Sequence, residues 1–124
     1  MAKVLGLGGI FFKANNPEKL AEWYRDYLGF DLSFPTGVSF NLEDLPQRGY
    51  QVWGSFKADT EYFLPSNKPF MFNLMVDNLE EIRAELEEKG CEVLAETESS
   101  EFGHFGWILD PEGNKVELWQ PPAS

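Results

Sequence analysis

The chain has 124 residues, enough for one domain with a core of its own. Its formal net charge of −11 repels nucleic-acid phosphates and anionic membrane surfaces, so we expect neither partner. The one cysteine, Cys91, excludes an intrachain disulfide and favours a cytoplasmic location, and no apolar run is long enough for a signal peptide or a membrane span.

The first half of the chain, about residues 4–58, is predicted to begin with a strand and then a helix. Residues 8–14 form an apolar run of strand length. Asn16 is a favourable helix N-cap, Pro17 suits the first helical position, and Gly29 predicts the end of the helix. Further strands are expected near residues 30–34, 38–42 and 50–56.

The second half, about residues 68–122, is predicted to repeat this order. A strand at 70–76 leads through Asp77 and Asn78 into a helix that ends at Lys89 and Gly90. Strands are expected near 91–95, 104–109 and 115–120, with a linker at 59–69 and an acidic loop, near the mouth of a pocket, at 96–101. Residues 14–20 match 76–82, and residues 50–53 match 116–119, so the pattern predicts one cooperative domain over residues 1–124.

Two motifs resemble a known family. Residues 22–30, Glu-Trp-Tyr-Arg-Asp-Tyr-Leu-Gly-Phe, resemble a helix end of the vicinal oxygen chelate superfamily, the glyoxalase, bleomycin-resistance and extradiol dioxygenase fold group. Residues 109–118, Leu-Asp-Pro-Glu-Gly-Asn-Lys-Val-Glu-Leu, resemble its hairpin. The resemblance implies an α+β fold in which two βαβββ modules form a curled mixed sheet around a cavity, with the helices outside. It also implies a homodimer.

The resemblance also implies where a metal would bind. Metal-dependent relatives hold a divalent ion at four cavity positions, which correspond here to Gly9, Gln51, Met71 and Glu117. Among these, Glu117 is a usual ligand, whereas Gly9 has no side chain and the Met71 thioether suits copper(I). We therefore expect no metal and no cofactor, with a divalent metal as the alternative.

Strand alternation predicts which side chains face the cavity. Pairing of Leu109 with Lys115 across the turn would place Trp107 beside Glu117 and His104 on the opposite face. His104 is then expected to be a hydrogen-bonded residue at a strand start, although a shift of one residue would bring it to the Glu117 side. The full predicted set of ligand-contacting residues is Phe11, Lys13, Gln51, Trp53, Met71, Asn73, Met75, Phe105, Trp107, Glu117 and Trp119.

This set favours binding without chemistry. Aromatic residues make up 15% of the chain, more than one small core is expected to bury. Some of them are therefore predicted to line a cavity or an interface. We expect metal-independent binding or sequestration of a small aromatic or cationic molecule, stacked on Trp53, Trp107 or Trp119 with Glu117 as counter-charge. Gln51 and Asn73 would supply hydrogen bonds to the same molecule.

Two enzymatic alternatives stay open. A metal-dependent lyase, isomerase, thiol transferase or dioxygenase would need substitute ligands such as His104, Glu98 or Glu101. A metal-free acid–base enzyme would use Glu117 as its general base in an apolar pocket. The metal-dependent enzyme is the less favoured of the two, because only one of the four family metal positions, Glu117, carries a usual ligand.

Overall fold

The computed structural model describes residues 1–123 and contains two helices and one four-stranded sheet. The elements in chain order are α1 (Pro17–Leu28), a 3₁₀ turn (Leu42–Asp44), β1 (Phe72–Met75), α2 (Leu79–Glu88), β2 (Glu92–Ser100), β3 (Gly103–Leu109) and β4 (Lys115–Gln120). None of the helices in the described residues is long and apolar enough to cross a membrane.

Both helices begin and end where capping chemistry predicts. The Asn16 side chain accepts a hydrogen bond from the Lys19 amide at 3.1 Å, and Gly29 ends α1 with a left-handed φ of 74°. At the start of α2, the Asn78 side chain accepts from the Glu81 amide at 3.0 Å. The predicted helix boundaries are therefore confirmed.

The sheet has the strand order β1-β4-β3-β2, with β1 parallel to β4 and the other pairs antiparallel. Leu109 pairs with Lys115 and Trp107 pairs with Glu117, which confirms the predicted register of the hairpin. Because strand side chains alternate between faces, this register decides which residues the helices cover.

One face of the sheet carries the hydrophobic core. The helices pack there with Leu20 and Tyr24 from α1 and with Leu79 and Leu86 from α2. The sheet contributes three side chains with no exposed surface, Ile108, Val116 and Leu118. Since these alternate with Trp107, Lys115 and Glu117, the latter three lie on the face away from the helices.

The prediction of two βαβββ modules is wrong. The second half forms one such module, but no strand precedes Phe72 in the described residues, where a single bridge joins Phe34 to Gly37. The expected strands at 8–14, 30–34, 38–42 and 50–56 are absent there, and the sheet is not curled around a cavity. Two of these segments contain glycines, namely Gly8, Gly9 and Gly54. Glycine weakens a strand because it has no side chain to pack against neighbouring strands.

The acidic loop predicted at residues 96–101 is also wrong, because β2 continues to Ser100. Thr97 pairs with Gly106 and Ser100 pairs with Gly103, beyond an irregularity between Val93 and Thr97. β2 is an edge strand, and charged, exposed side chains are common on such strands. The polar composition of this segment therefore reflects its position at the sheet edge.

Candidate ligand-binding site

Glu117 lies at the centre of a hydrogen-bonded cluster on the face away from the helices. Asn73 and Trp107 are its register partners on β1 and β3, so three adjacent strands place their side chains in one row. The Asn73 amide donates to Oε1 of Glu117 at 2.7 Å, and the Trp107 indole donates to Oε2 at 3.0 Å. The structure thus brings together three of the predicted cavity-facing residues.

Tyr62 is a fourth member of this cluster that sequence reasoning missed. It lies in the segment predicted to be a linker, and its hydroxyl donates to Oε2 of Glu117 at 2.8 Å. Burial, followed by the hydrogen bond to Glu117, raises the pKa of the Tyr62 phenol, so the hydroxyl stays a neutral donor. No local pattern marks a tyrosine that reaches a sheet from a loop.

Lys115 is the cationic residue beside this cluster. The side chain retains 9% of its surface, and Nζ donates to the Tyr62 carbonyl oxygen at 2.5 Å. Nζ lies 5.1 Å from the centroid of the Tyr62 ring and 5.6 Å from that of Trp107, within the range of cation–π attraction. Burial lowers the pKa of Lys115, while Glu117 and Glu96 oppose that shift. Strand alternation could have found this residue, because it shares a face with Glu117.

A cavity of about 690 Å³ opens between this face and the segment that carries Tyr62. Its size is typical of small-molecule sites. Three of the residues that line it carry carboxylates. The complete lining is Glu61, Tyr62, Leu64, Pro65, Leu94, Ala95, Glu96, Thr97, Glu98, Trp107 and Lys115. The cavity therefore combines aromatic rings, one ammonium group and an excess of negative charge.

The predicted residues of the first half do not join this site. Gln51 and Trp53 line a second cavity of about 480 Å³ with residues 4–7, and the two cavities share no residue. Phe11 keeps 93% of its surface exposed and Trp53 keeps 81%. Lys13 is also exposed. The single cavity expected from the sequence is thus divided, because the first-half strands that would have closed it are absent.

Trp119 is packed and offers no free face to a ligand. It keeps 4% of its surface, stacks on Phe105 with centroids 6.2 Å apart and an interplanar angle of 10°, and contacts the edge of Tyr50. Its indole donates to the Phe102 carbonyl oxygen at 2.7 Å. Met71 and Met75 are half-buried and line neither cavity.

His104 and Cys91 lie apart from the cluster. The Nδ1 atom of His104 is 2.8 Å from the Ser99 hydroxyl, and alternation along β3 turns His104 to the face opposite Trp107. This confirms the predicted hydrogen-bonded histidine at a strand start. Cys91 is half-buried directly before β2, and burial raises the pKa of its thiol, as in an unreactive core cysteine.

Comparison with protein-family models gives a match over residues 9–119 to the glyoxalase-like domain. The chain belongs to the glyoxalase-like domain family. This places it in the vicinal oxygen chelate superfamily, as the two sequence motifs predicted. A solved structure described as "conserved domain protein" is similar over 95% of this chain and 100% of its own, with a TM-score of 0.57 and 12% identity, a likeness of fold. No curated protein matches the chain.

The metal positions of this glyoxalase-like domain do not fit a divalent ion. Both oxygens of Glu117 accept hydrogen bonds, and a metal would have to displace the Asn73, Tyr62 and Trp107 donors from them. Gln51 lines the second cavity, away from Glu117. Within residues 1–123, no three His, Cys, Asp or Glu residues are grouped as a metal site would require.

Proposed function

We propose that this glyoxalase-like domain binds and sequesters a small, flat, cationic organic molecule without a metal. The observation that carries the proposal is the 690 Å³ cavity, in which the rings of Tyr62 and Trp107 lie among three carboxylates, those of Glu61, Glu96 and Glu98. Aromatic faces and carboxylates both attract organic cations. No bond is made or broken in this mechanism.

The aromatic wall is held rigid before a ligand arrives. Trp107 is fixed by its hydrogen bond to Glu117, and Tyr62 is fixed by its own bond to the same carboxylate. The two rings meet edge to face, with centroids 6.2 Å apart. Since ordering side chains opposes binding, rings that are already ordered favour a tighter complex.

The charge of the cavity favours cations as well. Its lining contains three carboxylates against one ammonium group, and the whole chain has a net charge of −11. A field of one sign over a concave surface raises the local concentration of opposite charges. An organic cation is therefore both attracted to the cavity and stabilised inside it.

Acid–base chemistry at Glu117 is less favoured by this geometry. Both carboxylate oxygens already accept hydrogen bonds from Asn73, Tyr62 and Trp107, and Glu117 does not line the cavity, so it is poorly placed to take a proton from a bound molecule. A metal-dependent lyase, isomerase, thiol transferase or dioxygenase would depend on ligand positions that do not fit a metal. Binding therefore ranks above both enzymatic alternatives.

We also propose that the exposed apolar surface of the first half is covered by a second copy of this chain. Val4, Leu5 and Trp53, which line the second cavity together, keep 87%, 92% and 81% of their surfaces exposed, and contiguous apolar exposure of this kind marks interfaces. β1 also ends the sheet with an unpaired edge. Light scattering after size-exclusion chromatography tests this: we expect a dimer, and a monomer at micromolar concentration would contradict it.

The binding proposal is tested by isothermal titration with N-methylquinolinium, using quinoline, which is uncharged at neutral pH, as the matched neutral compound. We expect saturable binding of the cation and at least about tenfold weaker binding of quinoline. Trp107→Leu should weaken binding of the cation, whereas Trp53→Leu, in the second cavity, should not. Equal affinity for both compounds, or an equal effect of both variants, would contradict the proposal.

A further inference from the structure

Lys115 lines the cavity, but its ammonium group has no role in the binding of a simple cation. With 9% of its surface exposed it is nine-tenths buried, yet no carboxylate oxygen in residues 1–123 lies within 4.0 Å of its ammonium group. A buried charge is costly unless it is paired and hydrogen-bonded. Because Lys115 also lines the cavity, a ligand could supply the missing partner.

The hydrogen bonds of Lys115 leave room for that partner. An ammonium group has three N–H donors, and one of them is used on the Tyr62 carbonyl oxygen. The rings of Tyr62 and Trp107 stabilise the charge but accept no conventional hydrogen bond. The nearby Glu117 carboxylate is already occupied by three other donors.

The cavity presents its opposite charges from different strands. Lys115 belongs to β4, whereas Glu96 and Glu98 belong to β2. β3, which carries Trp107, lies between these two strands in the sheet. Neighbouring strands are about 4.8 Å apart, so β4 and β2 are separated by roughly 10 Å. A ring bound in the cavity between these strands would thus have positive charge on one side of it and negative charge on the other.

We propose that Lys115 anchors an anionic or carbonyl oxygen of the ligand, so that the preferred ligand is a flat amphoteric molecule with a cationic ring and a carboxylate. This deepens the proposed function and rests on it. The cationic end meets Glu96 and Glu98, the ring lies against the exposed surface of Tyr62, and the carboxylate accepts the free N–H donors of Lys115. Lys115 is then the residue that selects amphoteric molecules over simple cations.

The test is isothermal titration of the full chain with three matched probes: N-methylquinolinium, an N-methylquinolinium carboxylate and 1-naphthoate. We expect the amphoteric probe to bind about tenfold more tightly than the simple cation, as a hydrogen bond to a charged group allows. Naphthoate should bind more weakly than either. Lys115→Met should remove the tenfold gain, and Lys115→Arg should retain most of it.

Lys89→Met is the matched control, because the Lys89 ammonium group also lies over a tyrosine ring, 5.5 Å from the Tyr27 centroid, but lines neither cavity. We expect it to leave all three affinities unchanged. Circular dichroism shows whether Lys115→Met folds, and the comparison of probes on the unmodified protein holds even if it does not.

The outcomes separate the two proposals. If the amphoteric probe and the simple cation bind the unmodified protein equally, the role of Lys115 is overturned while cation binding stands. If naphthoate binds as tightly as the amphoteric probe, the ligand needs no cation and the amphoteric class is overturned. If N-methylquinolinium does not bind at all, the proposed function itself fails.

Discussion

The Tyr24 hydroxyl donates a 2.7 Å hydrogen bond to the Asp110 carboxylate, which joins α1 to the turn between β3 and β4. Asp110 keeps 5% of its surface and also accepts from the Asn114 side-chain amide at 2.8 Å. Burial and the Asp110 charge raise the pKa of Tyr24. The first half of the chain, which contributes no strand, is therefore held to the sheet partly through this bond.

Replacing Tyr24 with phenylalanine should weaken that attachment. Loss of the phenol leaves the buried Asp110 carboxylate with one donor fewer, and the expected loss of unfolding free energy is about 1–3 kcal/mol. Urea denaturation measures it. Tyr27→Phe, a half-buried tyrosine on the same helix, is the control and should change stability by less than the Tyr24 variant; equal effects would refute the role of the bond.

Glu112 should make the protein sensitive to acid. Its carboxylate accepts from the Asn15 amide at 2.7 Å and from the Asn16 amide at 2.9 Å, and these bonds lower its pKa below the usual 4.5. A lowered folded-state pKa adds stability that is present above 4.5 and is lost as the pH falls through the lowered value.

Glu112→Gln should therefore flatten the acid side of the stability curve. The free energy of unfolding in urea, measured from neutral pH down through this range, should fall less steeply in the variant than in the unmodified protein. Glu87→Gln, an exposed glutamate of α2, is the control. A variant curve parallel to that of the unmodified protein would show that Glu112 has no such effect.

Glu117→Gln should loosen the segment that carries Tyr62. The amide has one acceptor oxygen in place of two, so it cannot serve the Asn73, Tyr62 and Trp107 donors together. We expect faster amide hydrogen exchange in residues 61–66 and a stability loss of about 1–3 kcal/mol. Exchange followed by mass spectrometry tests this, and protection of residues 61–66 equal to that in the unmodified protein would argue against the anchor.

Divalent metals should not bind at one equivalent per chain. Glu117 is held by three donors, and the other three family positions are Gly9, Gln51 and Met71, which make a poor donor set. Elemental analysis after soaking in Mn, Ni, Zn or Fe(II) should find metal well below one equivalent. Stoichiometric metal that is lost in Glu117→Ala would contradict this and favour a metal-dependent enzyme.

The sequence predicts the second half well because its signals are local. Asn78 and Lys89 mark the two ends of α2 through chemistry within one turn of the chain. The turn at residues 110–114 sets the register of the hairpin, and that register places Trp107 beside Glu117. Continuing the same alternation to Lys115 would also have found the cavity ammonium.

The sequence fails where pairing between distant segments decides the structure. Residues 8–14 and 50–56 have the composition of strands, but strand formation requires a hydrogen-bonded neighbour, and composition does not report whether one is present. Tyr62 was missed for a related reason. Its hydroxyl reaches Glu117 across 55 positions of the chain, and no sequence pattern encodes that contact.

The turn at residues 110–114 keeps the attachment of α1 separate from the cavity. Asp110 and Glu112 hold α1 through Tyr24, Asn15 and Asn16, and the turn residues do not line the cavity. The same short motif therefore does two jobs: its turn residues attach α1 to the sheet, and Lys115, the next residue along the chain, faces the cavity. Substitutions at cavity residues outside the motif, such as Tyr62 and Glu96, would leave the attachment of α1 intact.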